Sequence, residues 1–264
     1  MKNPDRSGME GLFVYLEYLS GLYPDLPVSQ SLHASGSSGE TSGSSLKDTT
    51  KKSGSAVDGR ENLMSESVGS KSVALGALAL KVNECRACSL GESRTNPVFG
   101  EGNVDTRLLF IGEGPGAEED RTGRPFVGRA GELLDRMIVA MGLSREEVFI
   151  ANAVKCRPPS NRTPEVVERD ACKHFLLDQI RIISPEAIVL LGQTAIFQML
   201  SNESPISSVR GVETILPSFP GIRVMPTYHP AYLLRNPQAK AVVWKDLQQV
   251  MKWLSLPMPV LREK

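Results

Sequence analysis

Residues 107–116 read Arg-Leu-Leu-Phe-Ile-Gly-Glu-Gly-Pro-Gly. Four apolar side chains in a row, with no polar alternation, are what a short strand buried on both faces requires. The run stops at a Gly-Glu-Gly-Pro-Gly turn. Glycines without a Cβ let backbone approach a ligand closely and leave amides free to meet an oxygen or a phosphate. A tight strand-to-helix turn needing only its shape would explain the glycines equally well, but Glu113, an acid at a strand's end, favours function. No Gly-Lys-Ser/Thr follows, so this is not a Walker loop. A dinucleotide site would need an acid about 20 residues on, after a second strand. There the chain instead carries a helical pattern around Leu133.

Working outward, the same kind of run recurs at Val148–Val154, Ala187–Gly192 and Arg223–Tyr228, and each is read as a strand. Helical patterns lie between them. Leu133, Leu134, Met137, Ile138 and Met141 mark one, and a second starts with Thr163 as cap and Pro164 in the first turn and runs to about Ile183. A third follows Gly192, and Val243, Leu247, Val250, Met251 and Leu254 mark the last. Repeated β-α order predicts an α/β fold: three layers, α/β/α, around a central, mostly parallel four-stranded sheet. That domain is expected over residues 74–256, with a short tail at 257–264. Ahead of it, residues 29–73 are rich in Ser, Gly, Thr and Lys and are expected to be a flexible linker. Residues 1–28 are expected to form a helical segment, with Leu12, Tyr15, Leu16, Leu19 and Tyr23 on one apolar face.

Composition constrains the partners. The 264 residues carry 30 basic and 30 acidic side chains, so no bulk charge attracts nucleic acid, and any such contact must come from a local basic loop. No run of about 18 apolar residues spans a membrane, and Glu10 and Glu17 interrupt the start as a signal peptide. A cytoplasmic location is expected, where the four cysteines are better suited to be ligands than disulfides.

In open α/β sheets the ligand crevice lies at the carboxyl ends of the strands, and the unusual residues fall there. The first strand ends at Glu113, the second holds Asn152 amid apolar neighbours, the third ends at Gly192-Gln193 and the fourth at His229-Pro230. An Asn within a buried strand either pairs with a loop or reads a ligand's edge, since its amide donates and accepts side by side. His229 is a candidate catalytic group. Phe126, in a Gly- and Arg-rich loop, is either core or a platform for a planar ligand. Cys85-x2-Cys88, with Cys156 and Cys172 farther on, suggests all-cysteine ligation of zinc or of an iron–sulfur cluster. The spread second pair leans towards [4Fe–4S].

Taken in order, Cys85-x2-Cys88, Gly112–Asp120 (GEGPGAEED), Thr122–Gly128 (TGRPFVG), Asn152 with Lys155–Pro159 (KCRPP), Cys172 and His229–Leu234 (HPAYLL) resemble the family 4, iron–sulfur uracil-DNA glycosylases. The resemblance covers roughly residues 80–254. It implies hydrolysis of the N-glycosidic bond of deoxyuridine in single- or double-stranded DNA after base flipping, by a monomer holding a [4Fe–4S] cluster on the four cysteines. It further implies that Gly112, Glu113 and Gly114 line the pocket, Phe126 stacks on uracil, Asn152 reads the O4/N3 edge and His229 faces O2. Glu113 and His229 are then the catalytic pair, with Asp120 a weaker carboxylate candidate. The tip Tyr232-Leu233-Leu234-Arg235 is expected to wedge into the vacated stack, with Arg235, Lys155, Arg157 and Arg162 near phosphates. Two departures stand out: better-known uracil glycosylases carry an Asp where this chain has Gly114, and a Tyr near Gly116. A non-catalytic Fe–S nucleic-acid-binding module and a nucleotide-binding α/β enzyme are the competing readings. The N-terminal helix is a candidate dock for a repair or replication protein.

Overall fold

The computed structural model describes residues 58–258. The expected N-terminal helix and most of the expected linker therefore lie outside the described residues. One part of the linker does not: residues 58–73 belong to a 27-residue helix, α1, Asp58–Glu84. Composition misled here, because the residues that fix this helix come late in it. Leu75, Leu78 and Val82 are buried, and α1 packs against a long helix of the domain, α5 (Val166–Ile183). A domain boundary at residue 74 would cut through α1.

All four expected strands are present and parallel: β2 (Leu108–Gly112), β3 (Phe149–Asn152), β4 (Ala187–Leu191) and β6 (Phe219–Thr227). Two short antiparallel strands close the edges, β1 (Glu101–Gly102) against β3 and β5 (Thr214–Leu216) against β6. The order across the sheet is β1-β3-β2-β4-β6-β5.

The period-two geometry of a strand sends alternate residues to opposite faces, and both faces are covered. Leu108, Phe110, Ile150, Val189 and Leu191 meet Leu134 and Ile138 of α4 (Arg129–Ala140) and Leu247 and Val250 of α9 (Lys240–Trp253). Leu109, Ile111, Ala151, Ile188 and Leu190 meet Leu176 and Ile180 of α5 and Ile196 of α6 (Gln193–Leu200). This double burial is why the strands read as unbroken apolar runs. The start of α5 differs from expectation. Its N-cap is Glu165, not Thr163, and Glu168 Oε2 accepts from the Glu165 amide at 2.7 Å. Shorter helices complete the chain: α2 (Leu90–Ser93), α3 (Ala117–Thr122), α7 (Ile206–Val209) and α8 (Pro230–Arg235). Among the described residues no helix is long and apolar enough to cross a membrane.

Candidate active site

The carboxyl ends of the four parallel strands open into a cavity of about 510 Å³. Glu113, Gly114, Phe126, Asn152, Gln193, His229 and Arg235 all line it. Residues far apart in sequence thus meet because β2, β3, β4 and β6 run in the same direction.

Asn152 is paired with Gly112 in the β2–β3 register. It is buried, at 2% exposure, and its Oδ1 has no hydrogen-bond partner. A buried polar atom left unpaired costs about 1–3 kcal/mol, so Oδ1 is an acceptor waiting for a donor. Gly112 does not itself line the cavity. A Cβ there would lie 2.5 Å from Asn152 Oδ1 and 2.5 Å from Phe126 Cζ, so the glycine makes room for both. Gly112→Ala is therefore expected to keep the fold but displace both side chains. The overpacking is worth about 1–3 kcal/mol. Circular dichroism should be unchanged while the kcat/KM of the enzyme falls ~10-fold or more.

Phe126 has a left-handed backbone, φ 51, rare for a bulky residue. Its ring stacks on that of His229, with centroids 5.5 Å apart and planes at 28°. Glu119 helps to fix this loop. Its Oε1 accepts from the amides of Val127 at 2.9 Å and Gly128 at 3.0 Å, and its Oε2 from Gly116 at 3.1 Å. One carboxylate thus joins the GEGPG turn to the loop that carries Phe126. Sequence reasoning passed over Glu119, since an acid on a first helical turn is ordinary.

His229 caps α8. Its Nδ1 accepts from the Ala231 amide at 3.1 Å, so the neutral ring carries its proton on Nε2. Withdrawal from water, helped by the positive charge of Arg235 and opposed by Glu119, lowers its pKa to about 4. The imidazole is neutral at pH 7 and offers one N–H donor. Glu113 is held by Thr194, whose Oγ1 donates to Glu113 Oε2. Thr194, on α6 and 4% exposed, is a second residue that sequence reasoning missed. Asp120 is elsewhere. Its Oδ1 accepts from the Thr95 amide at 2.9 Å and it does not line the cavity, which removes it as a catalytic candidate.

Four expected DNA contacts fare differently. Arg235 is exposed on the cavity's rim. Leu234 is partly buried against the core. Leu233 is a correction: α8 turns it inward to 0% exposure, so it presents no wedge to a base stack. Arg157 is half-buried, and its Nε donates to Asn161 Oδ1 at 2.8 Å. Two other basic residues are committed to the protein. Lys155 is buried at 1% exposure and donates to Asn152 O at 3.0 Å and Gln179 Oε1 at 2.6 Å, so it reaches no phosphate. Arg162 lines the cavity but is paired with Glu168, whose carboxyl it lowers to about 2.

Cys85, Cys88, Cys156 and Cys172 line one small hollow between α1 and α5. Arg94 Nη1 lies 3.0 Å from Cys156 Sγ, and the Lys155 amide donates to Cys172 Sγ at 3.3 Å. Burial pushes the Cys172 thiol up to about 11 and raises that of Cys156. Among the described residues no three His, Cys, Asp or Glu side chains converge tightly enough for one metal ion.

Residues 99–248 match the Uracil DNA glycosylase superfamily. The chain is 50% identical over 177 residues, 66% of its own length and 91% of the relative's, to the type-4 uracil-DNA glycosylase of Thermotoga maritima. It is 45% identical over 183 residues to the type-4 enzyme of Sulfurisphaera tokodaii, spanning 67% of this chain and 83% of that one. To that of Saccharolobus solfataricus it is 44% identical over 187 residues, 69% of this chain and 87% of that one. The chain belongs to the type-4 uracil-DNA glycosylase family.

Proposed function

We propose that this chain excises uracil from DNA by hydrolysing the N-glycosidic bond of an extruded deoxyuridine. The observation that carries the reading is the pairing, on one cavity, of an unsatisfied Asn152 acceptor with a proton-bearing His229 nitrogen. Uracil offers a complementary edge. Its N3–H can donate to Asn152 Oδ1 while the amide Nδ2 donates to O4, and O2 then faces the His229 side. Phe126 covers the ring.

Breaking the bond from C1′ to N1 leaves its electrons on the base, shared between N1 and O2, and a cation on the sugar. A preorganised donor at O2 stabilises that charge as it develops. Glu113, fixed by Thr194, supplies the carboxylate that steadies the sugar cation and orients the attacking water. Gly114, where better-known uracil glycosylases carry Asp, leaves Glu113 as the carboxylate at this end of the turn. The water's oxygen bonds to C1′, and one of its protons ends on the released uracil. Extrusion itself costs a few kcal/mol, least at a mismatch or in a single strand. Arg235 and Arg157 would meet the backbone. Incubation with a uracil-containing oligonucleotide should produce abasic sites. Intact DNA under every salt condition tried would leave only a nucleic-acid-binding module.

The four cysteines fit a [4Fe–4S] cluster. They surround one hollow, and two of them receive N–H bonds suited to thiolate ligands. When bound, the cluster supplies a covalent tie among its ligands, and thiols that burial would keep protonated become thiolates. The cysteines would then link α1 to the β3 loop and α5. Cys172→Ser is expected to purify with little iron and a Tm lower by ~5 °C or more. Full iron content in that variant would refute cysteine ligation. We further propose that the enzyme works in the cytoplasm as a monomer. Its N-terminal segment, outside the described residues, is proposed to dock a repair or replication protein.

A further inference from the structure

We infer that Arg145, which does not line the cavity, is the positioning residue that aims Phe126 at the extruded base. This rests on the reading of Phe126 as the surface that stacks on uracil.

A bulky residue held in the left-handed region is strained and persists only where its surroundings over-determine it. At Phe126 the surroundings are specific. Arg145 Nη2 donates to the carbonyl of Pro125, and Nη1 to the carbonyl of Phe126 at 3.2 Å. On the other side, Glu119 accepts from the next two amides. A cation thus grips the two carbonyls and an anion the two following N–H groups. The single peptide stretch between them carries the strained residue.

Arg145 is itself anchored. Its side chain is 15% exposed, and it bonds to Asp135 Oδ1 on α4 at 2.6 Å and to Glu101 Oε1 on β1 at 2.7 Å. Gly131 completes the seat, because a Cβ there would lie 1.9 Å from the Phe126 carbonyl oxygen. The result is a ring held against His229 and over the gap at Gly112. The planar guanidinium matters, since it directs several donors in a fixed fork, whereas a lysine ammonium is a point charge. Lysine cannot span two carbonyls and two carboxylates at once.

The test compares full-length wild type, Arg145→Ala, Arg145→Lys, Phe126→Ala and the Arg145→Ala/Phe126→Ala double variant. Uracil release from a single-stranded oligonucleotide and inhibition by free uracil are measured for each. Phe126→Ala and Arg145→Ala should each lose ~10–100-fold in kcat/KM and in affinity for free uracil. The double variant should lose no more than Phe126→Ala alone, because the arginine acts through that ring. Affinity for an oligonucleotide carrying an abasic analogue should stay within about 2-fold of wild type, since no base remains to stack. Arg145→Lys should follow Arg145→Ala in direction, and it carries the comparison if the alanine variant does not fold. Additive losses in the double variant, or undiminished inhibition of Arg145→Ala by free uracil, overturn the clamp while leaving the stacking role of Phe126 intact. A Phe126→Ala enzyme with wild-type affinity for uracil brings down the stacking reading, and the clamp with it. Wild type that releases no uracil defeats the enzyme assignment itself.

Discussion

His229→Ala is expected to slow uracil release by about 10²–10³-fold while DNA affinity stays near wild type. The size follows from what the ring offers. Its Nδ1 is occupied by the Ala231 amide and its Nε2 carries the proton, so the lost group is a single preorganised donor. Removing such a donor from a site where negative charge develops costs far more in the transition state than in the ground state. The loss should therefore fall on kcat. His229→Asn separates the cap from the chemistry. An Asn side chain caps a helix well, so this variant should recover stability without recovering the rate. A return of wild-type kcat in His229→Asn would assign the histidine a capping role only.

The same group fixes a pH dependence. Burial lowers the folded-state pKa to about 4 from an ordinary 6.5, so folding favours the neutral ring. The stability this contributes is complete above pH 6.5 and is lost as the pH falls through 4. In denaturant melts, wild type should lose more stability than His229→Ala between these limits. Above about pH 5.5 the imidazole is almost wholly neutral, so its titration should leave no inflection in kcat there. An inflection near 6.5 that vanishes in His229→Ala would show a ring exposed to water and sink this account.

How much of this could be read from residues alone depended on which side chains lay within reach of one another in sequence. Leu108–Gly112 showed its double burial directly, because alternate residues enter different cores and none can be polar. Strand β1, two residues ending at Gly102, has no apolar run to announce it. Strand β5 reads no better, with Ile215 exposed. Helix α1 was hidden by its Ser and Lys content, although Leu75, Leu78 and Val82 are buried. At the site, Asn152, Phe126 and His229 stood out as types that an apolar strand end or a Gly-rich loop does not need. Glu119, Thr194 and Arg145 did not, because acids, hydroxyls and arginines on helices and turns are usually solvated. Their roles come mostly from partners 8 to 81 positions away. Leu233 was misjudged for the opposite reason. A loop tip was expected where α8 forms a helical turn, and that turn points the side chain into the core.

Asn152→Asp should reduce uracil release at neutral pH by about 10³-fold, more than any packing defect at the site. The amide matches uracil because it places an acceptor opposite N3–H and a donor opposite O4. An ionised carboxylate keeps the acceptor but sets a second lone-paired oxygen against O4, and it offers no donor. It also brings a charge to a position only 2% exposed. Burial disfavours the charged form, so the introduced carboxyl resists ionisation and, once protonated, can donate again. Uracil release by the variant should therefore recover as pH is lowered, opposite in sense to any acid loss in wild type. Cytosine reverses the pattern, with a donor at N4 and an acceptor at N3, and a protonated carboxyl can satisfy both. Slow release of cytosine from DNA, strengthening towards acid pH, is the accompanying expectation. If the variant releases uracil at the wild-type rate at pH 7, Asn152 does not read the base, and its unpartnered oxygen serves another purpose.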